Sequence, residues 1–265
     1  MKDLLLDETF NPERWSKFIQ KESEQDINKR LYSLCSPKTR ALLCMSIREG
    51  KYSIAPPHIV CLPKDIPEEF SIKYINNPID HILLGLTSDA LFEFLPELTI
   101  ERNNPFLCGG MVDKTKERLS MTTYTPNEKN AIGFKFDLSK YFNSVPLVYI
   151  DKVFDDVEKK FYNSMLLNVI RKYYHSDWYF ASDGQLKKMQ QGLKFGCPMA
   201  NWLSDVIFKH IDEKLLSING YYIRFLDYIV FIGPDFKIAM DVLNNELEGM
   251  QIKCELNDFK YLTHN

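Results

Sequence analysis

The chain has 265 residues, 45% hydrophobic and 26% charged, which describes a foldable globular chain of one large domain or two closely packed ones. Its formal net charge of −3 gives no global attraction to nucleic acid, so any polynucleotide would have to be met by local basic surface. No apolar run reaches the length of a transmembrane helix, and Met1-Lys2-Asp3-Leu4-Leu5-Leu6-Asp7-Glu8 is too short and too acidic for a secretory signal; a cytoplasmic protein with no membrane partner is expected.

Residues 10–50 read as helical, with Trp15, Phe18 and Ile19, then Leu31, Leu34, Ala41, Leu42 and Met45 at helical spacings, and Gly50 closing the region. From Tyr52 to about Asn77 the pattern is extended and proline-rich, which predicts a hairpin whose tip carries Lys64, Asp65, Glu68 and Glu69. A helical period returns from Pro78 to Phe94 and stops at Pro96. A loop containing Asn103-Asn104-Pro105 and Gly109-Gly110 leads to a strand through Ile132, Phe134, Phe136 and Leu138, whose alternation leaves Lys135 and Asp137 on the other face.

After Pro146, residues 147–175 predict one long amphipathic helix, followed by a loop from His175 to Gly184. Gln190-Gln191-Gly192-Leu193-Lys194-Phe195-Gly196-Cys197-Pro198 then opens a helix from Met199 to Leu216. Asn219-Gly220 is a turn signal before an apolar hairpin around Asp227, and the chain closes with a helix from Asp235 to Gly249 and a strand through Ile252 and Leu256. This order predicts an α+β fold, with helices on one side of a mainly antiparallel sheet. The six cysteines are scattered without a C-x-x-C pair, so they read as reduced thiols rather than a zinc site or disulfide framework.

Asp137 and Asp227 carry the chemistry. Each is a lone carboxylate ending an apolar, aromatic strand pattern, and an ionised acid in such a setting is costly unless something positive meets it. Two such acids on different strands can share divalent cations, because Mg²⁺ prefers hard oxygen ligands and leaves positions open for phosphate. Basic residues cluster nearby in sequence: Lys114, Lys116, Arg118, Lys129, Lys135 and Lys140 around the first acid, and Arg171, Lys172, Lys187, Lys188 and Lys194 before the Gly/Pro segment. Arg224, set in the apolar hairpin strand, calls for a carboxylate or phosphate partner.

Four segments then fall in a recognisable order. They are Phe136-Asp137-Leu138-Ser139-Lys140-Tyr141-Phe142; Gln191-Gly192-x-x-x-Gly196-x-Pro198-x-Ala200-x-x-Leu203-Ser204-Asp205; Tyr222-x-Arg224-Phe225-Leu226-Asp227-Tyr228; and Gly249-x-x-Ile252-x-x-x-Leu256-Asn257-x-x-Lys260. Together they resemble the palm motifs of reverse transcriptases, in particular bacterial ones of the retron, diversity-generating and phage-defence kinds. Pro56 through Pro78 and the Gly109-Gly110 loop match the family's finger motifs more loosely.

The resemblance implies a right-hand polymerase, with an amino-terminal helical region at 1–44, fingers at 45–130 and palm at 131–265. It implies RNA-directed DNA synthesis on an RNA template, adding deoxynucleoside triphosphates to a primer or DNA product, with a setting in phage defence. Asp137, Asp227 and the Leu138 backbone carbonyl would hold Mg²⁺, or Mn²⁺. Lys260 would be the proton donor to pyrophosphate. Lys73, or Lys64 in its place, would meet the triphosphate, while Phe142 would exclude a 2′-hydroxyl and so disfavour RNA synthesis. Gln191 and Gly192 would approach the nucleotide; Gly196, Pro198 and Arg224 would meet template and primer.

Two departures define the alternative. Tyr228 stands where the family has a second Asp, and the chain ends at Leu262-Thr263-His264-Asn265, before a primer grip and helical thumb. The second departure reads as a fragment of a longer chain, or one completed by a partner subunit. The rival to catalysis is an impaired palm that binds nucleic acid or a subunit as a scaffold.

Overall fold

The computed structural model describes residues 3–25, 35–63, 70–100, 132–137, 141–189, 192–225, 228–252 and 259–263. The fold is mixed α+β, as expected. It divides into two compact units that interleave along the chain, Met1–Leu95 with Leu147–Leu203, and Pro96–Pro146 with Ser204–Asn265.

The first unit holds helices α1 (Leu4–Thr9), α2 (Pro12–Gln25), α3 (Pro37–Arg48), α4 (Pro78–Phe94), α6 (Leu147–Lys160) and α7 (Met165–Tyr174). Their starts are written locally. Ser36 accepts from the Thr39 amide and Asn77 from the Asp80 amide, each followed by proline in the first turn, where the missing N–H costs nothing. Asp3 caps α1 with one oxygen, and its second oxygen accepts from the Met165 amide at 2.7 Å, which ties α1 to the start of α7. Helix α4 is buried through Ile82, Leu83, Leu84 and Leu86; at Gly85 the Phe18 ring of α2 fills the space a side chain would need.

The single helix expected over 147–175 is two. Asn163 takes a left-handed backbone, φ 56°, and Ser164 turns out of helical geometry to cap α7 by accepting from Leu167 at 3.2 Å. An N-cap serine is a start signal that an uninterrupted apolar period conceals.

Four strands complete this unit: β1 (His58–Pro63), β2 (Phe70–Ile75), β4 (Trp178–Phe180) and β5 (Leu186–Lys188), in the order β2-β1-β4-β5. The β1–β2 hairpin is the predicted one, and Lys64 at its tip lies outside the described residues. The β4–β5 hairpin replaces part of the loop expected after His175. It is short, and β4 joins β1 in parallel through His58 and Phe180, with the Phe180 amide donating to Pro57 O at 2.8 Å. Three-residue strands carry too little alternation to be read from sequence.

The second unit is built on β3 (Ile132–Asp137), β6 (Tyr221–Phe225), β7 (Tyr228–Ile232) and β8 (Phe259–Thr263), all antiparallel, in the order β6-β7-β3-β8. The strand expected through Ile252 and Leu256 falls almost wholly on residues 253–258, outside the described residues. A single helical turn, α5 (Tyr141–Ser144), follows β3, and α9 (Phe236–Gly249) packs on β3 and β7. Helix α8 (Pro198–Leu216) begins in the first unit and continues into the second. One face of the sheet is core: Phe134, Phe136, Ile229 and Phe231 are all buried, and at about 2 kcal/mol each relative to exposure they account for much of why the sheet forms.

Candidate active site

In the second unit, β3 is a central strand, flanked by β7 and β8. Its last residue, Asp137, pairs with Tyr228, the first residue of β7. The strand partners Phe225 and Tyr228 close the described part of the β6–β7 hairpin, with Leu226 and Asp227 between them in sequence. Both residues lie outside the described residues, as do Leu138, Gln191 and the side chains of Asp137 and Lys260. Chain connectivity alone leaves Asp227 one peptide from the partner of Asp137. Lys260 sits on β8 opposite Lys135.

Residues paired across a ladder share a face. Lys135 and Tyr228 are on the side opposite the buried phenylalanines, with Lys135 Nζ 5.8 Å from the Tyr228 ring centroid and Tyr228 37% exposed. The substituted position of the third motif is thus an accessible phenol with a cation beside it. Among the described residues no three histidines, cysteines or acids converge as a metal cluster.

Arg224 is engaged by carboxylates within the second unit. It is 4% exposed and donates through Nε to Asp212 at 2.9 Å and through Nη2 to Asp212 at 2.8 Å and Asp205 at 3.0 Å. Its guanidinium lies 5.0 Å from the Phe208 centroid, and the Tyr222 hydroxyl donates to the same Asp212 at 2.5 Å. Burial works against the charge, but Asp212 and then Asp205 outweigh it and hold the guanidinium protonated. The carboxylate partner that a buried arginine needs is present. Asp205, Phe208 and Asp212 recur at i, i+3 and i+7 on α8, and Tyr222 and Arg224 alternate on β6, which is the signal that could have paired them. The clamp fixes β6 to α8 three residues before Asp227.

Phe142 lies in α5, 3% exposed and edge-on to Tyr141 at 5.5 Å. Tyr141 in turn is edge-on to Phe208 at 4.9 Å. Only a margin of the Phe142 ring is open to meet a sugar.

In the first unit, the Gly/Pro loop is held from two sides. Gly192, Lys194 and Gly196 all have left-handed φ, at 50°, 56° and 92°. Phe195 O accepts from the Tyr74 amide at 2.7 Å, so the loop runs along the outer edge of β2. Gly196 fits against Lys73 and Tyr74: a β-carbon there would stand 2.7 Å from Lys73 Cγ and 2.8 Å from Tyr74 O. Lys73, expected at the triphosphate, and Gly196, expected at template and primer, are therefore neighbours, and Pro198 follows as the first residue of α8.

Lys194 was expected only as part of a basic cluster. It is fully buried, donates to Tyr173 O at 2.8 Å and Ser176 O at 2.9 Å, and its ammonium lies 4.1 Å from the Tyr173 centroid. Loss of hydration pushes its pKa down to about 8. It joins the loop to the carboxyl end of α7, where backbone carbonyls lack helical partners.

No protein-family model and no curated protein matches the chain. Among solved structures it is similar to a chain of the partial Cas6-RT-Cas1–Cas2 complex, at 16% identity and TM-score 0.50, over 93% of this chain and 42% of that one. It is also similar to telomerase from Candida albicans in complex with a TWJ fragment of telomeric RNA (12%, 0.52, 82% and 43%) and to telomerase from Candida tropicalis in complex with a TWJ fragment of telomeric RNA (11%, 0.53, 79% and 41%). The chain spans less than half the length of these three chains. At these identities the likeness is one of fold: a mixed α+β fold with sheets backed by helices, matching polymerase palm and fingers structures.

Proposed function

We propose that the chain provides the fingers and palm of an RNA-directed DNA polymerase, with residues 45–130 as fingers, 131–265 as palm and 1–44 as a helical extension. The observation that supports it is the pairing of Asp137 with Tyr228, one peptide from Asp227, in a fold shared with polymerases. Asp137, Asp227 and the Leu138 carbonyl are hard oxygen donors of the kind Mg²⁺ takes, with Mn²⁺ as the alternative. Bound there, two cations would neutralise charge on the attacking and leaving oxygens of phosphoryl transfer. Lys73 would receive the triphosphate beside Gln191, Gly192 and Gly196, and Lys260 would give a proton to pyrophosphate. The buried bulk of Phe142 would disfavour a 2′-hydroxyl. RNA template, DNA primer and deoxynucleotides are the substrates of this reading; defence against phage is its proposed setting.

Primer extension on an RNA template, with Mg²⁺ and separately with Mn²⁺, tests it. The parent incorporates deoxynucleotides and Asp137→Ala does so at least about 10³-fold more slowly, the loss expected when charge stabilisation of the transition state is removed. Equal rates for the two proteins, or none for the parent under either metal, would sink it.

Tyr228 favours a second reading, a palm kept as a nucleic-acid or subunit scaffold. A phenol holds a divalent cation less well than the carboxylate it replaces. Gain of incorporation in Tyr228→Asp, with none in the parent, would select this reading.

A further inference from the structure

Helix α3 packs through one face and leaves the other bare. Leu43 and Ile47 are buried, and the helix lies on α7. On the opposite side Leu42 and Met45 are 56% and 55% exposed, more than any other large apolar side chain among the described residues except Tyr162. Lys38 and Glu49, also exposed, extend this side by one turn at each end. The stripe is therefore Lys38, Leu42, Met45 and Glu49, at successive spacings of four, three and four residues, which keep to one face of a helix.

Two properties say what covers it. The spacing reads the same in both directions, so a second α3 laid antiparallel about a two-fold axis sets each Leu42 against the other copy's Met45. The same operation sets each Lys38 against the other copy's Glu49, cation to anion. The charges are also placed against their own helix. Lys38 stands in the first turn, where the helix dipole favours anions, and Glu49 is the carboxyl-terminal cap, where it favours cations. Beside an antiparallel neighbour both are well placed, since each then lies next to the end of the other helix that attracts it.

Ala41 and Ser46 flank the stripe and are small enough to let two helices approach closely. Within one chain Glu49 pairs with Lys51 at 2.7 Å, with both side chains exposed, and a pair of that kind holds too little energy to keep Glu49 from a new partner.

We propose that α3 is a self-association surface, an antiparallel two-fold contact with a second copy of this chain. A helix of this length is about 18 Å long and about 10 Å wide, so the face offers each copy less than the roughly 800 Å² of a standard interface. The dimer is correspondingly weak and reversible, with a Kd of about 10–100 µM. None of these residues belongs to the proposed polymerase site, so association does not depend on whether the chain polymerises.

Sedimentation velocity of the full chain from about 2 to about 300 µM, spanning that Kd and without nucleotide or metal, tests it. The weight-average mass is expected to climb from one chain toward two. Leu42→Glu and, independently, Met45→Glu set a carboxylate in the centre of the contact and weaken association at least about tenfold. Lys38→Glu and Glu49→Lys each create two like-charged pairs across the axis and weaken it about fivefold at low salt, whereas the chain carrying both changes returns to the parent's affinity. A parent that stays monomeric throughout, or a dimer that both central variants leave intact, overturns the surface. Mass climbing past two chains overturns the closed two-fold contact, and reversals whose losses simply add in the doubly changed chain overturn the antiparallel register.

Discussion

Lys73 lies against the open side of Gly196, so that a β-carbon on the glycine would stand 2.7 Å from Lys73 Cγ and 3.2 Å from its Cε. The same β-carbon would meet the Tyr74 carbonyl at 2.8 Å, and Gly196 has a φ of 92° that side chains disfavour. A lysine from the β1–β2 hairpin and a glycine from the distant Gly/Pro loop are thus fitted to one another. Gly196→Ala is expected to cost about 2–4 kcal/mol, combining the left-handed backbone with the overlap on a carbonyl that cannot move aside. Denaturant titration checks it.

The clamp of Arg224 with Asp212 and Asp205 gives a second expectation. Arg224→Met leaves Asp212 buried without its cation and should cost about 3–5 kcal/mol. Pairing it with Asp212→Leu should return a large part of that loss, because the uncompensated charge is then gone. A double-mutant cycle by chemical denaturation measures the coupling; purely additive losses would show that the clamp is not a unit.

Lys194 gives a pH dependence with a definite sign. Its folded pKa of about 8 lies below the ordinary value of 10.5, so between those limits the unfolded chain holds more protons than the folded one. Stability contributed at this site therefore rises as pH rises from about 8 to about 10.5, and below about 8 the full cost of burying the charge is present. Melting temperatures across that window should rise for the parent relative to Lys194→Met, which has no group to titrate there. Parallel curves would remove the effect.

The break between α6 and α7 gives two small local expectations. Asn163 holds a φ of 56°, a conformation that glycine takes without a side-chain penalty. Asn163→Gly should change stability by no more than about 1 kcal/mol in either direction, since the relief of strain is set against a more mobile unfolded chain. Ser164→Ala should lose about 1 kcal/mol with the α7 cap, by thermal melting.

For the proposed site, Phe142→Ala should admit ribonucleotides that the parent rejects, in extension reactions with each nucleotide class in turn. Because Phe142 is also packed on Tyr141, melting must be measured alongside. Unchanged selectivity in a folded variant would leave Phe142 a core residue only.

Much of this molecule was legible locally. Asn77 before Pro78, alternation through Ile132, Phe134 and Phe136, and Asn219-Gly220 before a hairpin each act within a few residues, so α4, β3 and the β6–β7 hairpin lie where the pattern put them. The need of Arg224 for an anion was equally readable, since a buried guanidinium cannot stand alone. What supplied the anion was not. Asp212 and Asp205 meet Arg224 only because α8 and β6 pack together, and a strand pattern carries no record of which helix will cover it. The same holds for Lys194, a surface charge by composition and a buried link by packing, and for the meeting of His58 with Phe180, assembled from a parallel pairing between two distant strands. Propensity, capping and alternation are short-range, so the elements and the charged groups that would need partners were readable from the residues alone. The partners were decided by tertiary structure alone, because burial and pairing join residues far apart in the chain.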